Sequence, residues 1–118
     1  MQTLLFILND GPYGSEKTFN ALRLALNIKE QYEERVAINL FLMSDAVTAA
    51  QVNQRPSEGY NIEQMLDILL AQGAQLKLCK TCTDARGVSA QTLIEGAQIS
   101  TLVELSQWTF AADKVLTF

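Results

Sequence analysis

The only two cysteines of the chain, Cys79 and Cys82, lie three residues apart in the stretch KLCKTCTDARG (77–87). Two thiols at this spacing can supply half of a metal site, or they can open and close a disulfide. Alternatively, one thiol carries a sulfur atom while the other has a lesser role. All three chemistries use the thiolate form of cysteine. The charges and secondary-structure elements around the pair therefore decide between them.

A metal site is poorly supported by the residues that one chain offers. A structural zinc site takes four ligands, usually cysteine or histidine, whereas this chain has two cysteines and no histidine. Only a cluster shared between subunits would complete such a site, so we expect no metal and no organic cofactor. The absence of histidine also excludes Ser-His-Asp and Cys-His catalytic sites built from a single chain.

Length and composition predict a single domain spanning 1–118 with a true hydrophobic core, since 48% of its 118 residues are hydrophobic. No run approaches the roughly 18 apolar residues of a membrane span. The first apolar run ends at Leu8 and has no basic residues before it, so it fits a strand better than a signal peptide. We expect a cytoplasmic protein without a membrane partner, whose thiols are reduced at rest.

The charge of the chain argues against a nucleic-acid partner. The formal net charge is −4, and the basic residues are scattered singly along the sequence. A nucleic-acid surface needs clustered lysine and arginine to neutralise phosphates. We therefore expect no nucleic acid among the partners of this protein.

The apolar pattern alternates between strands and helices. Short apolar runs bounded by turn residues predict strands at 3–8, 35–43, 74–79 and 114–118, with a minor strand at 96–100. Helices are predicted after Ser15 as a cap, from Asn61 (with Gln64 completing a capping box) to Gly73, and from Ser100 or Thr101 onward. The polar stretch 52–61 is predicted as a long loop. This order is typical of an α/β fold, with a mostly parallel sheet between helices on both faces.

Ligands of open parallel sheets bind at the carboxyl ends of the strands. The first strand leads into Asn9, Asp10 and the turn GPYGS, the second into Ser44 and Asp45, and the third into Cys79. The candidate ligand-binding residues share this predicted edge: Asn9, Asp10, Tyr13, Gly14, Ser15, Asp45 and Arg86. Two of them have structural alternatives, since Ser15 and Asp45 can equally cap the helices that follow, and the glycines of NDGPYGSE can simply form its turn.

The candidate catalytic residues are Cys79, Cys82 and Lys80. If a helix begins after the third strand, Cys79 lies at its N-terminus, where backbone N–H groups and the helix dipole favour a thiolate. Lys80 and Arg86 add positive charge, whereas Asp84 opposes it. The alternative is that both cysteines only pack, because free cysteine is often buried.

The whole chain resembles the DsrE family of sulfur-relay proteins, especially its small, single-domain YchN-like branch. The segments that carry the resemblance are NDGPYGSE, FLMSDAV, GYNIEQML, KLCKTCTDARG and TLVELSQW…ADKVLTF. The resemblance implies a three-layer α/β/α fold with a five-stranded parallel sheet, and assembly into a hexamer. It also implies that a cysteine after the third strand carries sulfane sulfur as a persulfide. Because a Gly follows that cysteine eight residues later in the family, as Gly87 follows Cys79 here, the role maps onto Cys79.

We therefore expect a cytoplasmic sulfur-transfer protein that accepts sulfane sulfur on Cys79 from a donor protein and passes it to an acceptor. Lys80 and the helix N-terminus would stabilise the anion, and Cys82 would act as a resolving or protective thiol. The alternative is a non-catalytic, homo-oligomeric ligand-binding or regulatory protein, in which the cysteine merely lines a pocket. In both cases we expect a homo-oligomer, since the last helix, with Trp108 and Phe110, is apolar on several sides.

Overall fold

The computed structural model describes all residues from Met1 to Phe118, and it contains five strands and four α-helices. The strands are β1 Gln2–Leu8, β2 Val36–Leu42, β3 Gln75–Cys79, β4 Ala97–Ser100 and β5 Lys114–Thr117. The helices are α1 Lys17–Tyr32, α2 Ile62–Ala71, α3 Lys80–Ala85 and α4 Leu102–Ala111, and short 3₁₀ segments include Ser44–Ala50. None of the helices is both long and apolar enough to span a membrane.

All neighbouring strands pair in parallel, in the order β4-β3-β2-β1-β5. The predicted five-stranded α/β architecture is thereby confirmed, and so is the minor strand near 96–100. β1 occupies the interior between β2 and β5, which explains its continuous apolar run LLFIL (4–8). The second strand is shorter than predicted, because Arg35 belongs to a 3₁₀ turn and Met43 lies beyond its end.

The two faces of the sheet are covered unequally. Helices α1 and α2 and the segment Ser44–Ala50 pack on one face, over a large core that includes Phe6, Leu40 and Leu78. On the other face α4 covers a small cluster, which we call the α4 cluster: Leu5, Phe41, Cys79 and Leu105. Cys79 is therefore part of the thinner apolar layer.

The predicted helix ends are correct for α2 and α4. The Asn61 side chain accepts a hydrogen bond from the Gln64 backbone N–H at 3.0 Å, and Gly73 follows α2 with a φ of 95°, a left-handed conformation that glycine adopts without strain. Thr101, and not Ser100, caps α4 by accepting from the Glu104 N–H at 3.3 Å.

The start of α1 differs from the prediction by one residue. The helix begins at Lys17, so Glu16 occupies the N-cap position and makes no side-chain cap hydrogen bond. The Ser15 hydroxyl lies one residue earlier, and its oxygen accepts from the Lys17 N–H at 3.4 Å while donating to Asp10 Oδ2 at 2.8 Å. Ser15 therefore stabilises the preceding turn more than the helix itself.

The long loop 52–61 is present as predicted, but it is fastened to its surroundings. Gln54 Nε2 donates to the Ala49 carbonyl at 2.7 Å, and the Tyr13 hydroxyl donates to Gln54 Oε1 at 2.8 Å. Tyr60 stacks on Phe19 with ring centroids 3.9 Å apart. The loop is thus held both to the turn between β1 and α1, through Tyr13, and to α1 itself, through Phe19.

The last residues of the chain close the sheet beside its first strand. β5 pairs with β1, and the Phe118 ring stacks near Phe6 with centroids 6.2 Å apart. The Phe118 carbonyl accepts from the Asn9 backbone N–H at 3.0 Å. The carboxyl end of β1 is therefore positioned by the end of the chain.

Candidate thiol site

The carboxyl ends of β1, β2 and β3 lie side by side, as the sequence predicts. Asn9 follows β1, Ser44 lies two residues after β2, and Cys79 is the last residue of β3. The Ser44 hydroxyl donates to Asn9 Oδ1 at 3.4 Å, so the first two ends are in direct contact. The edge predicted from strand order thus exists in the structure, and the cysteines belong to it.

The two cysteines occupy the N-cap and the third position of α3. Cys79 has the extended conformation of an N-cap residue, with ψ of 121°, and α3 begins at Lys80 as predicted. Side chains at the N-cap and third positions of a helix lie on the same side of its first turn, as the capping box shows. Accordingly, both cysteines pack against the α4 cluster. Neither forms a disulfide.

The thiols differ in exposure. Cys79 is only 9% exposed, because Leu5, Phe41 and Leu105 surround it beneath α4. Cys82 is half-buried, and it contacts both the α4 cluster and the larger core on the opposite face. A reagent approaching from solvent therefore meets the Cys82 side chain more readily than that of Cys79.

Several groups act on the Cys82 thiol. Burial raises its pKa above the ordinary value for cysteine, whereas a hydrogen bond from the Ser44 backbone N–H lowers it. The neighbouring Cys79 thiol raises the pKa further, and the Arg86 charge lowers it. Ser44 has a φ of 54°, a left-handed conformation that is uncommon for residues other than glycine.

Arg86 connects two elements of the site. Its Nε donates to Asp45 Oδ1 at 2.9 Å, and its Nη1 donates to the Cys82 carbonyl at 3.2 Å. Asp45 thus pairs with Arg86 across the gap between α3 and the segment Ser44–Ala50. Gly87 follows with a φ of 66°, which lets the chain turn directly after the arginine.

Lys80, a candidate catalytic residue, has its amino group directed to a carboxylate. Its Nζ lies 2.7 Å from Asp84 Oδ2, and its side chain is 64% exposed. This hydrogen bond, followed by the charge of Asp84, raises the pKa of Lys80. The Asp84 carboxylate therefore offsets much of the positive charge that Lys80 brings next to Cys79.

Lys77 is the cation that the sequence analysis missed. It precedes Cys79 by two residues on β3, so both side chains point to the α4 face. The Lys77 side chain is 13% exposed, with Nζ 3.2 Å from Glu104 Oε2 and 4.6 Å from the centre of the Trp108 ring. Ser100, the partner of Cys79 in the β3–β4 register, also donates to Glu104. Residues two apart in a strand point to the same face, and this alternation was the sequence signal that would have placed Lys77 on the same side as Cys79.

The remaining candidate ligand-binding residues lie together in the turn between β1 and α1. Asp10 accepts from Ser15, and its backbone carbonyl accepts from Thr18 Oγ1 at 2.8 Å. The Tyr13 hydroxyl donates to Gln54 Oε1 and accepts from the Ile62 N–H. Gly14 has a φ of 101°. These residues build the turn and anchor the loop, whereas Arg86 contacts the Cys82 carbonyl, Asp45 pairs with Arg86, and Asn9 contacts Ser44.

Comparison with known proteins agrees with this fold. A model of the DsrE/DsrF-like family matches residues 2–118. The chain belongs to the DsrE/DsrF-like family. Protein YchN of Escherichia coli K12 is 60% identical over 118 residues, covering 100% of both chains, and its crystal structure superposes with a TM-score of 0.95.

More distant similarities are found in proteins of other organisms. The uncharacterized protein MK0008 of Methanopyrus kandleri is 33% identical over 118 residues, which are 100% of this chain and 95% of that protein. The structure of MTH1491 from Methanobacterium thermoautotrophicum covers 100% of both chains with a TM-score of 0.80 at 16% identity, which shows a shared fold only. These names state no activity, substrate or partner.

Proposed function

We propose that this member of the DsrE/DsrF-like family is a sulfur carrier that accepts sulfane sulfur on Cys79. The observation that carries the proposal is the placement of Cys79 as the N-cap of α3 at the carboxyl edge of the sheet, where a second thiol packs on the same apolar cluster. A helix N-terminus stabilises a thiolate or a persulfide anion through its free N–H groups. The match of Cys79 and Gly87 to the sulfur-relay pattern supports the same assignment.

The transfer is a simple displacement at sulfur. The Cys79 thiolate attacks the outer sulfur of a donor persulfide, the donor sulfur–sulfur bond breaks, and the donor leaves as a thiolate. Cys79 then holds the persulfide until an acceptor thiol attacks its outer sulfur. Donor and acceptor proteins are thus the expected partners, and a cytoplasmic location, where thiols stay reduced, suits this chemistry.

The test uses a cysteine desulfurase with labelled cysteine as the donor. We expect label on Cys79 in the wild-type chain or in Cys82→Ser, located by mass spectrometry of peptides prepared without reductant. Cys79→Ser is expected to gain no sulfur at position 79 and none elsewhere. The matched control Thr81→Ala changes an exposed residue between the thiols and should load normally. Absence of added sulfur from Cys79 in both wild type and Cys82→Ser would sink the proposal.

A second candidate function is ligand binding without catalysis. The observation in its favour is the burial of Cys79, which is only 9% exposed within the apolar α4 cluster. Under this alternative the cysteine is a small core residue. The two functions differ in reactivity: alkylation of Cys79 no faster than that of free cysteine at neutral pH supports binding, whereas faster alkylation supports transfer.

We further propose that the protein assembles into a homo-oligomer, a hexamer. The support is the resemblance to the family, together with the outer surface of α4. Leu102 and Val103 are each 66% exposed there, and Phe110 is 95% exposed. A helix that remains apolar on its outer side is usually buried by a neighbour, and a second copy of the chain supplies one.

A further inference from the structure

The two thiols are placed so that one can react with a sulfur carried by the other. They occupy the N-cap and third positions of α3, and both pack on the α4 cluster. Resting on the proposed carrier function, we propose that the protein also reduces the sulfur it accepts: Cys82 attacks the Cys79 persulfide and releases hydrogen sulfide.

The step balances in atoms and electrons. The Cys82 thiolate attacks Sγ of Cys79, the bond between that Sγ and the outer sulfur breaks, and its electron pair leaves with hydrosulfide. A bond forms between the two Sγ atoms, so the sulfane sulfur is reduced while the two thiols are oxidised to a disulfide. The proton lost by Cys82 ends on hydrosulfide or in solvent. An external dithiol then reduces the disulfide and restores both thiols.

Proximity favours attack on the inner sulfur. The shared helix turn and the shared α4 cluster hold Cys82 beside the Cys79 side chain, whose Sγ becomes the inner sulfur of the persulfide. Attack there expels hydrosulfide, a weaker base than an alkyl thiolate, and weaker bases leave faster in thiol–disulfide exchange. Attack on the outer sulfur would instead move the sulfur to Cys82 and leave it unreduced.

The packing around Cys79 also favours attack by Cys82 on the persulfide. Cys79 is only 9% exposed and Cys82 packs on the same cluster, so the Cys82 thiol is held beside the persulfide and need not enter from solution. The α4 side of the site supplies apolar residues, including Leu105 and Trp108. An intramolecular thiol therefore competes well against an acceptor that must enter from solution.

Two groups favour the Cys82 thiolate, although burial keeps the pKa of this thiol above its ordinary value. They are the backbone N–H of Ser44, just after β2, and the guanidinium of Arg86, which follows α3 and has Asp45 as its carboxylate partner. Apart from Cys79 itself, these are the groups that act on Cys82 from neighbouring elements. Because only the thiolate attacks, the rate of sulfide release should rise with pH.

The experiment is a single turnover with stoichiometric glutathione persulfide and no added reductant. Sulfide is measured colorimetrically against a blank without protein, and the chain is then analysed by intact-mass and peptide spectrometry. For the wild type we expect close to one sulfide per chain and a Cys79–Cys82 disulfide. For Cys82→Ser we expect a stable extra sulfur on Cys79 and sulfide at the blank level. Thr81→Ala, an exposed neighbour, should behave as wild type.

The outcomes separate this inference from the carrier proposal. If Cys82→Ser holds sulfur on Cys79 while the wild type releases no sulfide and forms no disulfide, reduction is wrong and the carrier role stands. If the wild type accumulates a persulfide on Cys82, attack occurs on the outer sulfur and reduction is again wrong. If neither chain ever carries sulfur on Cys79, both proposals fail. Wild-type sulfide release by Cys79→Ser would also overturn this inference.

Discussion

The burial and charge around Cys82 set when this thiol can act as a nucleophile. Burial raises its pKa, and among the opposing effects only the Arg86 charge can be removed by changing one side chain. Cys82 is consequently mostly protonated at neutral pH. Any reaction that needs its thiolate should become faster as the pH rises toward that elevated pKa.

Arg86→Gln should therefore raise the pKa of Cys82 further, because the charge that lowers it is lost. The pH at which alkylation of Cys82 reaches half its maximal rate is expected to move upward, and the shift should be modest because the charge is partly exposed to solvent. Peptide-resolved alkylation with iodoacetamide across pH measures this shift. Lys17→Gln, an exposed cation on α1, is the control and should leave the profile in place. An unchanged profile in Arg86→Gln would contradict the prediction.

Gly87 has a left-handed backbone that no other residue type adopts freely. A Cβ at this position meets nothing within 4 Å, so the cost of Gly87→Ala is conformational alone. We expect the free energy of unfolding to fall by about 1–2 kcal/mol. Urea denaturation measures the change.

Gly11→Ala is the matched control for this substitution. A Cβ at Gly11 would lie at ordinary contact distance, 3.8 Å from the Asp45 carbonyl oxygen, and Gly11 has no positive φ. Its effect should be much smaller than that of Gly87→Ala. Equal losses in the two variants would show that backbone conformation is not the cause.

At the scale of elements, local signals in the sequence predicted most of what was found. Apolar runs located the strands, and Asn61, Gly73 and Thr101 marked helix ends because caps are satisfied by neighbouring residues. The carboxyl-edge rule placed Cys79 beside Ser44 and Asn9. These features depend on residues close in sequence or on strand direction alone.

The interactions that were not predicted depend on side chains meeting across elements. Lys80 looked like the cation of the site because it adjoins Cys79, yet its amino group turns to Asp84 one helical turn away. Lys77 contacts Glu104 and Trp108, which are 27 and 31 residues distant in sequence. A single sequence gives no measure of which of many carboxylates and rings such a lysine will reach.

The ion pair between Lys77 on β3 and Glu104 on α4 predicts that the stability of the fold depends on pH. Hydrogen bonding from Ser100, followed by that from Lys77, holds the pKa of Glu104 below its ordinary value. A carboxyl group of this kind stabilises the fold above its unfolded-state pKa, and this stabilisation is lost as the pH falls through the lower folded-state pKa. The wild type should thus lose stability on acidification below about pH 4.3, in part through Glu104.

Glu104→Gln tests this link by thermal unfolding at neutral and at acidic pH. The variant should be less stable than wild type at pH 7, since the buried Lys77 loses its carboxylate. The difference between the two proteins should shrink at acidic pH, where Glu104 is protonated. Asp113→Asn is a control on another exposed carboxylate, one that accepts from the Thr3 N–H. A constant difference across pH would show that Glu104 does not account for the effect.

For the whole molecule, the exposed side of α4 predicts how copies of the chain associate. Phe110→Glu places a charge at the most exposed aromatic residue of that surface, where the side chain contributes little to the fold. We expect the variant to remain folded and to form smaller species than wild type. Size-exclusion chromatography with light scattering at micromolar concentration gives the mass. Tyr32→Glu, on the opposite face of the sheet and 52% exposed, should retain the wild-type mass.

A monomeric wild-type chain in the same measurement would overturn the assembly proposal altogether. A wild-type oligomer that Phe110→Glu leaves intact would place the interface on another surface. Because α4 also covers the α4 cluster, contact at its outer side would restrict how far this helix can move away from Cys79.

The pairing of the last strand with the first has a consequence for synthesis on the ribosome. β1 is made first, but its edge stays open until β5 emerges, and the Asn9 N–H finds its partner only in the final residue, Phe118. Between the synthesis of β2 and that of β5, a growing chain therefore displays one unpaired side of the strand that contains the apolar run LLFIL. Chaperones that hold nascent chains have a defined binding target in this run, and a chain that stalls before β5 emerges is expected to aggregate more readily than the finished fold.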